Sequence, residues 1–325
     1  MAKKPERKNK KLLIIIISAI LVAVVVIGVV IFKAHKNNQL QEGETETNWA
    51  VELSDAGLSP YNTSVKKPSS EGFTVDYINV EQGDCSLVTC NGKNMLIDCG
   101  EADYYEVVRN FLFDKGVEHL DIVISSHPHS DHIGGMSRLF EDFTVGTLLM
   151  PQVKENEELK NDTYKNFTNA LDRYSVNTKY VTKGDVYYLS DAKITVLSPV
   201  KNMEEINNMS VVAMVEYGDN KLLFTGDVEK KAEEYMLSSG VDLGCDILKV
   251  SHHGGKESSS EEFIKAASPQ IAVISVAEYN EFNHPNGETL KTLLKEDVNV
   301  YRTDFDGTVS FYAGSPDSEI VCLTK

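Results

Sequence analysis

The hydrophobic pattern divides the chain into four parts. Residues 1–11 form a basic tail, and residues 12–32 form one uninterrupted apolar run. Residues 33–72 are rich in Asn, Gln, Glu, Thr and Ser and show no apolar period, which predicts a flexible tether. From residue 73 to residue 325, short apolar runs alternate with stretches of helical period, which predicts one folded domain of about 250 residues.

The folded part contains many short strand-like runs with helical stretches between them. The predicted strands are Phe73–Val80, Cys85–Cys90, Met95–Asp98, Asp121–Ser125, Thr144–Met150, Asp185–Leu189, Lys193–Leu197, Val211–Tyr217, Lys221–Thr225, Ile247–Val250, Ile271–Val276, Val298–Thr303 and Thr308–Tyr312. The predicted helices are Tyr104–Lys115, Glu158–Tyr174, Val228–Ser238, Ser260–Ala267 and Gly287–Lys295. This order favours an α/β architecture of two sheets with helices packed outside.

The apolar run Leu12–Phe32 has the length of a membrane-spanning helix. Its 21 residues carry no charge, and at about 1.5 Å per residue they span roughly 30 Å, the thickness of a bilayer core. A cleaved signal peptide is the alternative, but its apolar core is usually shorter and is followed by small residues at a cleavage site. Basic residues concentrate before the run, which predicts a single-pass anchor with a cytoplasmic N-terminus and an extracellular domain.

The charge of the chain is distributed unevenly. The formal net charge is −17, but residues 1–40 carry eight Lys or Arg and one acidic residue, so the remaining 285 residues hold a formal charge of −24. A protein that grips nucleic acid along its phosphates normally presents a basic face. The charge therefore disfavours tight, extended DNA binding, while bound divalent cations would still permit a phosphate substrate.

The cysteine pattern gives no sign of a zinc knuckle. The five cysteines are an odd number without a CxxC pair. Cys85, Cys90 and Cys99 fall in or beside predicted strands, where a small buried thiol is the simpler interpretation. One disulfide is compatible with an oxidising medium, but the sequence does not assign it.

The strongest chemical signal is the run Ser126–His132, which directly follows a predicted strand. It contains three imidazoles and a carboxylate within six residues, at His127, His129, Asp131 and His132. Clustered histidines repel one another when protonated unless a cation replaces the protons. Imidazole with carboxylate is the ligand mixture of Zn²⁺, Mn²⁺ or Fe²⁺, so the run predicts a metal site.

Polar groups recur directly beyond three later predicted strands. They are Asp227, His252 with His253, and His284. If these strands share a sheet, their ends converge at one rim, where a metal site could be assembled. The adjacent glycines Gly254 and Gly255 would let the backbone pass close to a ligand.

Each of these later groups also has an ordinary structural explanation. Gly226-Asp227 is compatible with a turn followed by a helix N-cap, since the chain from Val228 onward has a helical pattern. A single histidine such as His253 or His284 more often packs or forms hydrogen bonds. However, six of the eight histidines lie either in the run Ser126–His132 or at the later positions 252, 253 and 284. This concentration favours a common site.

Together these motifs resemble the metallo-β-lactamase superfamily, and their order is similar to the extracellular hydrolase domain of the ComEC DNA-uptake family and its stand-alone relatives. Teichoic-acid phosphorylcholine esterases share several of them. The matching segments are Val80–Asp84, Leu96–Gly100, His127–His132, Asn207–Ser210, Leu222–Asp227, Leu248–Gly254, Asn283–Pro285 and Tyr301–Asp304. The resemblance covers most of the folded part and implies an αββα sandwich with its site on the rim where the sheets meet.

The resemblance also implies a ligand set for two divalent metal ions, Zn or Mn. His127 and His129 would bind the first metal, and Asp131 and His132 the second. Asp227 would bridge the two. Either His252 or His253 would complete the second metal, and the sequence does not decide between them.

One departure from the family pattern bears on activity. Zinc β-lactamases carry a further histidine for the first metal between the histidine run and the bridging aspartate, whereas this chain has none between His132 and His252. The segment Asn207–Ser210 lies where that histidine is expected, as in the ComEC relatives. The first metal is then expected to be weakly held, completed by water or selective for Mn²⁺, and β-lactamase activity becomes improbable.

The resemblance implies a metal-dependent hydrolase that activates a bridging water between two cations. Asp131 would also orient the nucleophile, and His284 would stabilise a phosphoryl oxygen or protonate the leaving group. A phosphodiesterase or nuclease acting outside the membrane is the leading hypothesis. Hydrolysis of a cell-envelope phosphodiester such as decorated teichoic acid, and a non-catalytic module that keeps the metals for structure or recognition, are the alternatives.

Overall fold

The computed structural model describes residues 71–154, 156–199 and 203–324. The strands in these residues are β1 (Phe73–Tyr77), β2 (Ser86–Cys90), β3 (Lys93–Ile97), β4 (His119–Ile124), β5 (Thr144–Met150), β6 (Thr178–Tyr180), β7 (Val186–Leu189), β8 (Ala192–Ser198), β9 (Val212–Tyr217), β10 (Asn220–Phe224), β11 (Ile247–Lys249), β12 (Ile271–Ile274), β13 (Asn299–Arg302), β14 (Val309–Ala313) and β15 (Val321–Cys322). The α-helices are α1 (Tyr105–Asp114), α2 (Ser130–Ile133), α3 (Met136–Asp142), α4 (Asp162–Arg173), α5 (Lys230–Ser238), α6 (Glu261–Ala267), α7 (Gly287–Lys295) and α8 (Thr303–Asp306). Short 3₁₀ turns lie at Ala102–Tyr104, Asn207–Met209 and Ser251–Gly254.

The strands form two sheets. The first has the order β15-β14-β1-β2-β3-β4-β5-β6, and the second has the order β13-β12-β11-β10-β9-β8-β7. Strands β3 to β6 are parallel to one another, as are β10 to β13, while the other neighbours pair antiparallel. In both parallel regions the carboxyl ends of the strands share one edge, which is where α/β proteins commonly place their sites.

Strand β4 shows why the apolar runs lack a polar face. Its Ile122 and Ile124 point into the core between the two sheets, whereas Val123 points into a second core under the helices of the first sheet. Successive side chains of a strand point to opposite faces, so a strand covered on both faces is apolar throughout.

Helices cover the outer faces of both sheets. On the first sheet, α1, α3 and α4 bury Leu112, Leu139 and Phe167 in the outer core. On the second sheet, α5 contacts β8 and α7 contacts β13. The predicted αββα sandwich is thereby confirmed.

The predicted elements agree with the structure apart from their ends and a few short pieces. Helix α4 begins at Asp162 rather than at Glu158, because the side chain of Asn161 accepts a hydrogen bond from the Tyr164 backbone and caps the helix. Prediction missed β6, β15, α2, α3 and α8. These pieces are two to seven residues long, so they show too few residues of any period.

Two further expectations concern the cysteines and the N-terminal region. All five cysteines are free and four of them are buried, so the interpretation of the strand cysteines as buried thiols is confirmed. Within the residues that the structure describes, the helices are too short or too polar to cross a bilayer. The predicted basic tail, anchor Leu12–Phe32 and tether lie outside the described residues.

Candidate metal centre

Four strand ends bring the predicted site residues together. The histidine run follows β4 in the first sheet, and the later groups follow β10, β11 and β12, which are neighbours in the second sheet. The three later strands share one sheet, as expected, and the histidine run reaches the same rim from the other sheet. These groups converge at the rim where the two sheets meet, which is the position that the family resemblance implied.

At the centre of the rim, two carboxylates and two imidazoles lie within reach of a single ion. One ligand atom from each of Asp131, His132, Asp227 and His253 lies within 4.8 Å of the other three. Asp227 Oδ2 is 3.3 Å from His132 Nε2 and 3.6 Å from His253 Nε2. Asp131 Oδ2 is 3.0 Å from His253 Nε2. This geometry is compatible with one divalent cation.

His127 and His129 form a second ligand group beside the first. His127 Nε2 lies 2.9 Å from His129 Nδ1 and 3.8 Å from Asp227 Oδ2. Asp227 therefore lies between the two groups, as a bridging carboxylate requires. His129 turns its other nitrogen to Glu158, 2.7 Å away.

The His252-His253 pair sits in a strained turn. Both residues adopt left-handed backbone angles, with φ of 52° each, which is unusual for residues other than glycine and clusters at functional sites. His253 is buried, and its Nε2 faces Asp131 and Asp227. His252 is partly exposed, and its Nε2 is 3.9 Å from Asp227 Oδ2. The distances favour His253 for the central group.

Buried acceptors fix the orientation of the two central imidazoles. Asp98 Oδ2 lies 2.9 Å from His132 Nδ1 and also accepts a hydrogen bond from the Ser126 hydroxyl. The Ser275 carbonyl oxygen lies 2.8 Å from His253 Nδ1. With Nδ1 engaged, each ring presents Nε2 to the centre, which is the usual arrangement of metal-binding histidines.

A buried ion pair joins the two sheets beneath the site. Lys249, in β11, is 1% exposed, and its Nζ lies 2.8 Å from Asp84 Oδ1 in the β1–β2 loop. The same Asp84 oxygen is 3.3 Å from His253 Nδ1. Lys249 therefore offsets one of the buried carboxylates that surround His253.

The charges at the centre favour a cation. Burial opposes charge on His253, yet Asp227, Asp84 and Asp131 raise its pKa to about 10. Burial also opposes charge on Asp227, but the neighbouring His132, His253 and His127 hold its pKa well below the usual range. Imidazolium and carboxylate thus stabilise each other in a place where a divalent cation would take over the positive charge.

Unsatisfied polar atoms test whether a metal fits. Among the described side chains, His132 Nε2 and Asp227 Oδ1 are buried without a hydrogen-bond partner. A buried polar atom without a partner is costly in a folded protein. Both residues belong to the imidazole and carboxylate cluster, so the donor set fits divalent cations such as Zn²⁺ or Mn²⁺.

His284 approaches the site from the loop after β12. Its ring centroid is 5.2 Å from that of His252 and 6.2 Å from that of His253. Burial, together with His253 and His252, lowers the pKa of His284 to about 4. The imidazole is therefore neutral at pH 7, which suits hydrogen-bond donation to a phosphoryl oxygen better than protonation of a leaving group.

The segment where zinc β-lactamases carry the additional histidine has a supporting role. The Ser210 hydroxyl accepts a hydrogen bond from the Asp227 backbone N–H. Asn208 Oδ1 accepts hydrogen bonds from the backbone N–H groups of Glu229 and Ala232 at the start of α5. These contacts position the loop of the bridging aspartate without supplying an imidazole.

One ordinary explanation offered by the sequence is wrong. Asp227 is not the N-cap of the following helix, because α5 begins at Lys230 and its N-cap is Glu229. The two glycines after His253 lie against the protein itself. A Cβ added at Gly254 would lie 2.7 Å from Pro285 Cβ, and one added at Gly255 would lie 2.9 Å from His284 Nε2. The two glycines therefore let the His284 loop pack against the turn.

Sequence reasoning gave no role to several residues that hold the site together. They are Asp84, Asp98, Lys249, Glu158 and Glu229. Asp98 and Lys249 each stand in an apolar run, where a charge is a signal of a buried partner, whereas Asp84 follows the polar sequence Glu-Gln-Gly and gives no such signal. Glu158 and Glu229 stand in polar stretches that give no such signal.

Comparisons with known proteins agree with this arrangement. The model of the metallo-beta-lactamase superfamily matches residues 78–187 and 203–278. ComE operon protein 3 of Bacillus subtilis is 33% identical over 264 residues, which cover 75% of this chain and 33% of that protein. Recombination protein 2 of Haemophilus influenzae is 29% identical over 251 residues, covering 75% of this chain and 29% of that protein. The chain thus spans about a third of the length of these relatives.

A solved structure gives the same fold. CmlA, a diiron beta-hydroxylase from Streptomyces venezuelae, superposes with a TM-score of 0.50 at 14% identity, over 73% of this chain and 53% of that one. At this identity the likeness concerns the fold alone. The family match extends over more than half of the chain and includes the histidine run, Asp227 and the His252-His253 turn. The chain therefore belongs to the metallo-beta-lactamase superfamily, whose members are metal-dependent hydrolases.

Proposed function

We propose that this domain is a metal-dependent phosphodiesterase that acts on nucleic acid or nucleotide substrates outside the membrane. The observation that carries the proposal is the position of Asp227 between two ligand groups. One group contains Asp131, His132 and His253, and the other contains His127 and His129. A pair of divalent cations, when bound, supplies the Lewis acidity that activates a water and offsets charge on a phosphoryl centre.

Two side chains around the centre are proposed to orient the nucleophile and to bind a phosphoryl oxygen. Asp131 lies at the partly exposed side of the central group, where it is placed to orient a nucleophile. His284 is neutral at pH 7 and is placed to donate a hydrogen bond to a phosphoryl oxygen. The anionic oxygens of a phosphodiester match such a cationic, hydrogen-bonding centre. The absence of a histidine between His132 and His252 sets the site apart from that of zinc β-lactamases.

The relatives support nucleic acid as the substrate class. One of them is named a recombination protein, and the order of the motifs resembles the ComEC DNA-uptake family. The formal charge of −24 beyond residue 40 instead favours a substrate without a long run of phosphates. A cell-envelope phosphodiester such as a phosphorylcholine ester is therefore the second candidate.

A substrate panel distinguishes the candidates. Residues 40–325 are purified, loaded with Mn²⁺ or Zn²⁺, and offered single-stranded DNA, bis-p-nitrophenyl phosphate and a phosphorylcholine ester. Cleavage of DNA supports the proposal, and release of choline alone selects the envelope substrate. Absence of turnover on every substrate, with metal bound, contradicts both and favours a non-catalytic metal-holding module.

A double substitution tests the ligand assignment. Replacing His127 and His129 by Ala is expected to lower kcat on bis-p-nitrophenyl phosphate by at least about a hundredfold, since it removes the imidazoles of one ligand group. Circular dichroism and gel filtration should show an unchanged fold. The matched control is His119→Ala, because His119 begins β4 at the end opposite the site. Equal activity of the double variant and the control would refute the assignment.

The membrane location is a separate proposal. The uncharged run Leu12–Phe32, with most basic residues before it, is proposed to anchor the chain with the hydrolase domain outside. The full-length chain should then remain with the membrane fraction in high salt, and protease added to intact cells should degrade the domain. Removal of residues 1–40 should release the domain into the soluble fraction. Full protection in intact cells would contradict the orientation.

A further inference from the structure

The loop between β12 and α7 presents two exposed aromatic rings, one of which lies beside the candidate metal centre. Tyr279 is 83% exposed and Phe282 is 57% exposed. The Phe282 ring centroid is 5.7 Å from that of His284, which in turn is 5.2 Å from the ring of His252. Among the exposed aromatic side chains of the described residues, Phe282 is the one in ring contact with a histidine of the site, and Tyr279 belongs to the same loop.

The loop is held in shape by one side chain. Asn280 Oδ1 accepts hydrogen bonds from the backbone N–H groups of Phe282 and His284, and Asn280 Nδ2 donates to the carbonyl oxygens of Ala277 and His284. The Ala277 backbone N–H donates to Gln82 at the first sheet. Because its backbone is fixed at both ends, the loop presents the two rings without a large ordering cost on binding.

The charge of the loop restricts what the rings can bind. Glu278 and Glu281 alternate with the aromatic residues, and residues 277–286 contain neither Lys nor Arg. Such a surface repels a run of phosphates, so the loop is unsuited to tracking a nucleic-acid backbone. A flat, uncharged group is compatible with it, because base stacking on an aromatic side chain needs only an open ring face.

We propose that Tyr279 and Phe282 stack on a nucleobase of the nucleotide next to the scissile phosphate. This inference rests on the proposed phosphodiesterase function and narrows its substrate to a base-bearing phosphodiester of one or a few nucleotides. A quaternary ammonium group also binds aromatic faces, but it binds strongly where several rings enclose it and exclude water. Tyr279 is too exposed to contribute to such an enclosure.

The test compares base-bearing and base-free substrates. The metal-loaded domain is assayed with thymidine dinucleotide and with the corresponding deoxyribose phosphodiester that lacks both bases. Phe282→Ala and Tyr279→Ala are each expected to raise KM for the dinucleotide about tenfold, with kcat nearly unchanged and KM for the base-free compound unchanged. Phe282→Trp should restore the KM, since it keeps a stacking face. Between about 50 and 200 mM salt, binding that depends on many phosphate contacts weakens strongly. The KM of the dinucleotide should change little over this range, because stacking does not depend on phosphate contacts.

The control and the contrary outcomes separate this inference from the proposed function. Tyr188→Ala is the matched control, because Tyr188 is 66% exposed but lies in β7, the strand at the far edge of the second sheet. Equal KM values for the two substrates, unaffected by either substitution, would overturn the stacking while leaving the phosphodiesterase intact. A change confined to phosphorylcholine esters would assign the rings to a quaternary ammonium group instead. If the unmodified domain hydrolyses neither compound, the proposed function itself fails.

Discussion

At the scale of single residues, Asp227 determines the character of the site. It is 2% exposed and lies within 4 Å of nitrogens from four histidines, namely His127, His132, His252 and His253. In the absence of metal, this carboxylate is the counter-ion for the imidazoles, and with metal it is the proposed bridge. Few substitutions could affect both states as directly as one at this position.

Asp227→Asn keeps the shape of the side chain and removes its charge. The metal-free domain is expected to lose about 3 kcal/mol of unfolding free energy at pH 7, because breaking a buried pair leaves an uncompensated charge. The variant should also bind Mn²⁺ too weakly for detection by calorimetry. Urea unfolding in EDTA measures the first effect. Asp246→Asn, a change beside β11 but at its opposite end, is the control. Unchanged stability and unchanged metal binding would contradict the central role.

His253 gives the metal-free domain a defined pH dependence. Its pKa of about 10 in the folded state lies above the usual value of about 6.5. The folded state therefore holds this proton more tightly than the unfolded state does. The resulting stability is fully present below about pH 6.5 and is lost as the pH rises towards 10.

The measurement is urea unfolding in EDTA between pH 6.5 and pH 9.5, with His253→Gln as the reference that lacks this proton. The decline in unfolding free energy with rising pH should be steeper in the unmodified domain than in the variant. Parallel curves for the two proteins would show that the electrostatic account of His253 is wrong.

At the scale of elements, the turn Ser251–Gly254 follows β11 of the second sheet and positions His252 and His253 at the site. Gly254 adopts a φ of +79°, and a Cβ there would lie 2.7 Å from Pro285 Cβ and 3.2 Å from Pro285 Cα. The turn and the His284 loop therefore pack so closely that no side chain fits at position 254. Only glycine meets both the conformational and the steric requirement at this position.

Gly254→Ala tests this packing. The substitution is expected to cost about 2–4 kcal/mol of unfolding free energy, from left-handed strain together with the clash, and to lower kcat because His252, His253 and His284 shift. Gly116→Ala is the matched control, since Gly116 has a φ of +75° with open space around its Cβ position. It should show the conformational cost alone, about 1 kcal/mol, with full activity. Equal losses in the two variants would mean that the contact with Pro285 is unimportant.

The elements also show how far the sequence can predict this molecule. Strands such as β4 and β10 were predictable, because a run buried on both faces stays apolar over its whole length. The gathering of histidines and aspartates at one rim was predictable, because they follow such strands, whereas their assignment as ligands of two metals came from the family resemblance and stays a prediction. The choice between His252 and His253 was not predictable, since it depends on two left-handed residues that no local pattern specifies. The role of Glu158 was equally hidden, because it comes from a polar segment beyond β5.

At the scale of the whole molecule, the site is a junction between the two sheets. The first sheet contributes the histidine run and the second contributes Asp227 and His253. Beneath them, Lys249 and Asp84 form a further charged contact across the same junction. Metal ions bound here would join residues that are more than a hundred positions apart in the chain, so metal binding should be coupled to the stability of the entire domain.

Metal removal tests that coupling. A ligand present at a hundred times its dissociation constant stabilises the folded state by about 2.7 kcal/mol, which corresponds to a rise in Tm of about 5–10 °C for a domain of this size. Mn²⁺ or Zn²⁺ added to EDTA-treated domain should therefore raise Tm by that amount in calorimetry, and EDTA should reverse the change. His119→Ala should show the full rise, since it leaves every proposed ligand in place, whereas Asp227→Asn should show little. Because the proposed ligands come from both sheets, the domain should unfold in a single cooperative transition whose Tm rises with metal. A split transition, with only one part responding to metal, would mean that the sheets are not joined through this site.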